Sequence, residues 1–459
     1  MTQNNFLKKG LNSKDVQRER KECPAFVIFL VVACTLLAGL GDWKVLNDAF
    51  QGLPKAVALG AIGCAFLNFL VVADFAKLRK AVGYFPIFLV PIALYTLISM
   101  YIWITDFSQA ASISRAGEKI LFQVITIIYA VFMCYLLEDR AINYLFFSMC
   151  ATNTAIILLE MPRYGIRESI SSVVTCIVTF GTAEGFVRAL ELHDITFLFG
   201  QFFIYYMMFA PKNSKPEKRI RRCGIILSFF FLLLGLKRSV LPAILLVCIY
   251  VKLLRTARKP GKFVLTTGIG LCVFFWFYLY LTRSGILVAF LESLGVDMMG
   301  RDVLWSLPNQ YYKLSPFWKG LGFESVTGLV NMWWREGLIN HPYPLHNDIL
   351  RIFIELGAPG FILWAGIHYI LYPAYWMKRY NTETGLLYMA LLLYMTVTYL
   401  TDNTAFYFWS SIGLRLIPMS YSYRIFRPGK QTQWKAPTPK EAADEIWSIE
   451  MRGKAENAE

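Results

Sequence analysis

Residues 84–104 read YFPIFLVPIALYTLISMYIWI, an unbroken stretch without Asp, Glu, Lys, Arg or His. A helix rises about 1.5 Å per residue, so roughly 20 such residues cross a hydrocarbon layer of about 30 Å. Working outward in windows of about 19 residues, twelve apolar segments emerge: Ala25–Leu40, Ala56–Ala73, Tyr84–Ile104, Ile120–Leu137, Ala141–Leu159, Asp194–Ala210, Cys223–Leu236, Val240–Val251, Phe263–Leu281, Ile349–Tyr375, Leu386–Leu400 and Phe406–Tyr423. Composition agrees. The chain is 56% hydrophobic and 17% charged, against roughly 45–50% and 25% in soluble domains, so lipid is its main solvent. The 36 Phe, 25 Tyr and 12 Trp suit the aromatic belts at membrane interfaces.

Twelve spans put both termini on one side, and thirty of the 46 Lys and Arg lie on that side, leaving Arg415 inside the last span. The positive-inside rule then places both termini in the cytoplasm. The net charge of +15 is divided among separate loops and tails instead of lining one groove, so no nucleic-acid partner is expected. Ile170–Phe180 is moderately apolar, but a thirteenth span there would move the cation-rich residues 211–222 outside. It reads as an extracytoplasmic interfacial or re-entrant segment. The basic start followed by Ala25–Leu40 resembles a signal peptide, with Val31-Val32-Ala33-Cys34 loosely like a lipoprotein cleavage site, yet removing this helix breaks the charge parity that follows. An uncleaved first span is expected. The nine Cys are scattered, with only Cys176 in an outside segment, so neither a disulfide framework nor a Cys metal site is indicated.

The resulting organisation is a cytoplasmic tail over 1–24, spans 1–9 over 25–281, an extracytoplasmic loop over 282–348, spans 10–12 over 349–423 and a cytoplasmic tail over 424–459. The fold class is all-α, a polytopic membrane protein of about 12 transmembrane helices. A loop as long as 282–348 between spans is commonly functional, and this one is sized for a small lid instead of an independent enzyme domain.

Cationic and titratable residues gather on the loop's side. Lys237 and Arg238 interrupt an apolar run at an elbow between two short helices, where snorkelling to headgroups is the bland explanation. Arg283 sits at the exit of the ninth span, as phosphate ligand or interfacial anchor. Arg301 pairs with Asp302 locally or faces a ligand. His346 directly precedes the tenth span, as a catalyst or a hydrogen-bonded interfacial residue. Planar, permanently charged guanidinium groups hold phosphate oxygens well, and an imidazole accepts a hydroxyl proton near neutral pH. Together they suit transfer from a lipid pyrophosphate. No Asp-x-Asp pair or His/Glu cluster has metal-ligand spacing outside, so neither metal nor cofactor is expected. Asp348, Arg351 and Glu355 share one helix face, with Arg351 and Glu355 spaced as an i,i+4 pair. Glu191-Leu192-His193-Asp194 opens the sixth span, where His193 is placed to contact an acceptor sugar and Asp194 to cap its helix. Arg415, buried in the last span, is placed to pair with Asp402.

His346-Asn347, nine residues, Gly357, two residues and Gly360 resemble the His-Asn/Ser/Gln-x9-Gly-x2-Gly pattern of the O-antigen ligase and polysaccharide polymerase superfamily. Gly300-Arg301-x2-Leu304-Trp305, followed by Pro316 and Gly320-Leu321-Gly322, is similar to that family's long-loop signature. The resemblance covers roughly residues 222–403. It implies a metal-independent, C-type glycosyltransferase architecture with an undecaprenyl-pyrophosphate-linked oligosaccharide as donor. Arg238 and Arg301, with Arg283, would bind the pyrophosphate, while His346 would activate the acceptor hydroxyl or bind phosphate. Lys237 stands where the family commonly has a small residue, leaving open whether it shares the anion. The function implied is a polysaccharide polymerase of the bacterial plasma membrane, serving a capsule or other envelope polymer, with membrane lipids, a chain-length regulator and a flippase as partners. A ligase acting on a lipid A core, protein or other surface acceptor is the close alternative. A flippase or transporter of lipid-linked glycan is the remote one.

Overall fold

The computed structural model describes residues 23–43, 45–46, 52–106, 112–179, 185–190, 192–235, 237, 239–295, 298 and 300–425. Among these residues the chain is helical throughout, with short 3₁₀ and π turns and no strand. Each of the twelve apolar windows falls on a helix. Among the described residues, six helical stretches are long and apolar enough to cross a membrane: Pro54–Val72, Phe75–Thr105, Ile113–Tyr164, Pro260–Arg283, Asp348–Arg379 and Thr382–Thr401. The 52-residue stretch comprises Ile113–Leu137 and Ala141–Tyr164, joined by the 3₁₀ turn Glu138–Arg140. Ala25–Leu40 and Asp194–Phe209 are shorter apolar helices. By length and composition, spans are therefore shown at six stretches among the described residues, and the expected count of twelve is not reached by that measure. The segment read as re-entrant is the 14-residue helix Ile166–Thr179.

Apolar helices pack tightly in lipid where small residues let backbones approach. Gly39 faces Thr152, Gly200 faces Tyr394, and Gly268 abuts the Tyr369 carbonyl. Thr382–Thr401 runs through the centre: every residue from Thr384 to Thr396 is buried, as expected of a helix apolar on all sides. It is flanked by Val240–Thr256, Pro260–Arg283 and Phe408–Ile425. On the outside, Leu70, Val71, Leu97 and Ile104 are exposed, the surface lipid would cover. Asp194 does not cap its own helix. Its carboxylate accepts from the backbone N–H groups of Trp409 and Ser410 at 2.7 and 2.8 Å, so it caps Phe408–Ile425 instead.

Residues 282–348 contribute the helices Ile286–Ser293, Arg301–Ser306 and Ser325–Arg335. Their connecting strap is joined to the helix Asp348–Gly366, which breaks at Gly357. Leu321 and Gly322 donate to the carbonyls of Ile354 and Glu355, and Ala358 donates to Trp318, at 2.8–3.0 Å. The break frees helical carbonyls and the strap satisfies them. Gly357 has φ 68° and ψ 179°, a conformation essentially confined to glycine. A Cβ there would lie 2.2 Å from the Lys319 carbonyl carbon and 2.3 Å from Trp318 O, both backbone atoms. Gly320 presents the reciprocal face, with Gly357 N 2.5 Å from its own Cβ position. The paired glycine motifs thus form one backbone-to-backbone joint. Gly357→Ala should lower stability by about 2–4 kcal/mol, read as a lower melting temperature of the purified protein; an unchanged melt would show that the joint yields.

Candidate active site

The joint fixes the helix whose start carries the histidine. Asn347 caps it, its Oδ1 accepting from Leu350 N at 3.0 Å, and its amide donates to the Tyr278 hydroxyl at 2.8 Å. Trp305, from the Gly-Arg-x2-Leu-Trp stretch, donates its indole N–H to the Leu345 carbonyl at 2.9 Å. The residue between these clamps, His346, is held at φ 52°, a left-handed conformation uncommon outside glycine. Its Nδ1 lies 3.1 Å from Asp402 Oδ1, and its side chain remains 27% exposed. Burial alone would raise the Asp402 carboxyl, but the hydrogen bond to His346 and the charge of Lys237 outweigh it and hold it below the ordinary carboxylate range. Lys237 thereby brings the elbow to the dyad.

Asp402 is thus the partner of His346 and not of Arg415. Arg415 donates to Gln123 Oε1 at 2.8 Å and also to Thr126 and the Ser411 carbonyl. The pairing expected from sequence is replaced because Asp402 lies past the end of Thr382–Thr401, where the chain turns beneath His346.

One turn into the next helix, Arg351 binds two carboxylates. Its Nε donates to Glu355 at 3.1 Å and its terminal nitrogen to Glu324. Glu324 also accepts from the Thr327 hydroxyl at 2.7 Å. Burial pushes the Glu324 carboxyl up, but Arg351 and Thr327 more than offset this and hold it low. Glu324 and Asp402 therefore bind fewer protons folded than unfolded around the ordinary carboxylate value of about 4. Their stabilisation is complete above that range and disappears as pH falls through the lower folded values. Melting temperature should drop on acidification below about pH 4, and Glu324→Gln should flatten the drop relative to the wild type. A slope unchanged by that substitution would remove Glu324 from the account.

His346, Asn347, Asp348 and Arg351 line one side of a cavity of about 430 Å³, within the roughly 300–1,000 Å³ of small-molecule sites. Arg115, Glu118 and Lys119, at the start of Ile113–Leu137, line another part of it. The other expected residues stand elsewhere. Arg301 is half-buried, and its charge acts on the Tyr278 hydroxyl, which also donates to the Leu400 carbonyl at 3.0 Å. It therefore approaches the site through Tyr278 and Asn347, and it does not line the cavity. Arg283 stacks over Tyr312 at 4.8 Å and donates to that residue's carbonyl, which makes it an anchor of the loop. Glu355 lies behind Arg351. Arg238 and the His193 side chain fall outside the described residues. Among the described residues, no group of three or more His, Cys, Asp and Glu is placed to hold a metal ion.

The glycine joint, the Trp305 clamp and the histidine form one continuous unit, and this unit has a counterpart among known families. Residues 223–365 match the family model described as O-antigen ligase. The matched segment contains Arg283, Arg301, Trp305, His346, Arg351 and both glycine pairs, so the resemblance carried by the motifs holds over the region where they pack together. Asp402, Arg115 and Lys119 lie outside that segment. A comparison with curated proteins gave no match. The chain is a membrane protein with several apolar helices that is similar, over residues 223–365, to the family described as O-antigen ligase.

Proposed function

We propose that this protein polymerises a cell-surface polysaccharide, transferring glycan from undecaprenyl pyrophosphate to a hydroxyl of the next lipid-linked repeat unit. The observation that carries this reading is the His346–Asp402 pair, with His346 lining the cavity and Asp402 within the field of Lys237. An ionised carboxylate only accepts, so Nδ1–H of His346 donates to Asp402 and Nε2 is left to receive the acceptor's hydroxyl proton. The acceptor oxygen bonds to the anomeric carbon as the bond from that carbon to the diphosphate oxygen breaks, and the electron pair leaves with the diphosphate. Lys237 stabilises that charge, with Arg238 from the same elbow and Arg301 acting at longer range from behind Tyr278. Preorganised donors of this kind commonly contribute a few kcal/mol each. Direct displacement inverts the anomeric centre. The mechanism uses no metal, and the site faces the outside of a bacterial plasma membrane, with both termini in the cytoplasm and a flippase and chain-length regulator acting beside it.

A second reading, ligation of the same donor to a different surface acceptor, is favoured by the description of the matched family. Reconstitution with a lipid-linked repeat unit separates the readings. A ladder of longer glycans supports polymerisation, and transfer to a non-isoprenoid acceptor supports ligation. Movement between leaflets without a covalent product would overturn both.

A further inference from the structure

The cavity that His346 lines carries a chemistry that diphosphate departure does not use. Two buried acceptor oxygens in its lining have no hydrogen-bond partner: Oδ1 of Asp348, whose side chain is fully buried, and Oδ1 of Asn403. The other Asp348 oxygen is engaged, accepting from Ala405 N at 2.7 Å. Unpartnered buried acceptors are costly, and a ligand that donates protons relieves them. Thr327 and Asn331 add further polar groups, and the ring of Phe406 supplies an apolar wall. Such a mixture suits a polyol.

Charge narrows the ligand further. Arg351 in this cavity is committed to Glu324 and Glu355. Arg115 and Lys119 are different: among the described residues neither has a carboxylate within ion-pair distance, although Lys119 feels the fields of Glu324 and Glu118. Two cations one helical turn apart therefore face a cavity whose unsatisfied groups ask for hydroxyl donors. We infer that this cavity is the acceptor subsite and that it takes an acidic sugar, one carrying a carboxylate, with Arg115 and Lys119 on the carboxylate and Asp348 and Asn403 accepting from the hydroxyls. The inference rests on the glycan-transfer reading of the His346 site and names the acceptor that site serves.

The test uses the full-length chain in lipid nanodiscs, titrated separately with D-glucuronate and D-glucose and followed by saturation-transfer NMR. Glucuronate should bind about tenfold more tightly than glucose, the usual effect of a charge-assisted contact. The combined Arg115→Gln and Lys119→Gln protein should lose that preference and keep its glucose binding. Equal affinities in the wild type, or no glucuronate binding, would overturn the assignment. So would a pyrophosphate affinity, in place of a glucuronate affinity, that disappears in the double variant, because the cations would then hold phosphate. The reading of the His346 site fails on a different result, inorganic pyrophosphate binding that Lys237→Gln and Arg301→Gln leave unchanged. The two ideas can therefore be rejected independently.

Discussion

His346→Ala should lower glycan transfer by about 10²–10⁴-fold, the contribution of a positioned general base, with the protein folded and its pyrophosphate affinity retained. The side chain is 27% exposed, so its truncation leaves no cavity in the core. Asp402→Asn is the sharper companion. An amide in that place can present its N–H to Nδ1, which favours the tautomer with the proton on Nε2 and blocks proton acceptance there. Turnover should fall with little change in KM. If both variants turn over normally, the dyad has no role in transfer. If His346→Ala loses pyrophosphate affinity along with turnover, the imidazole holds phosphate and some other group takes the proton.

Arg351→Met should be the most damaging substitution for stability. The guanidinium bridges Glu324 and Glu355, whose side chains are 2% and 0% exposed. Removing it leaves two carboxylates facing each other without compensation, and breaking a buried pair in this way costs about 3–5 kcal/mol. The expected readout is a sharply lower melting temperature, or loss of folded protein from the membrane fraction. Adding Glu324→Gln and Glu355→Gln to the same chain should recover much of the loss, since the penalty belongs to the stranded charges. A triple variant no better than Arg351→Met would instead assign the loss to packing of the arginine stem and its stacking over Phe406 at 5.0 Å.

The helices were legible because each apolar run is long and bounded by charges; Ala25–Leu40 agrees residue for residue. The Arg351–Glu355 contact was legible too, because i,i+4 spacing on one helix is a local property. Glu324 was not, for it lies 27 residues before Arg351 and meets it only when the strap folds against the broken helix. Asp402 was hidden in the same way. It stands 56 residues beyond His346, and a single carboxylate at the end of a span gives no periodicity to read. Arg283 shows the converse. Its residue type suited phosphate, but sequence says nothing about whether a guanidinium points into a cavity or lies over a neighbouring tyrosine. The glycines were visible as a motif, and their cause became visible only as main-chain contact between two distant segments.

That contact constrains how a bulky product could leave. Residues 318–322 are hydrogen-bonded into residues 354–358 through main-chain groups, so this part of the outer segment cannot swing open as a hinged flap without exposing the stretch of backbone it satisfies. On the proposed polymerase reading, a growing chain would have to thread past a fixed sill, and its lipid tail would have to pass sideways through the bilayer.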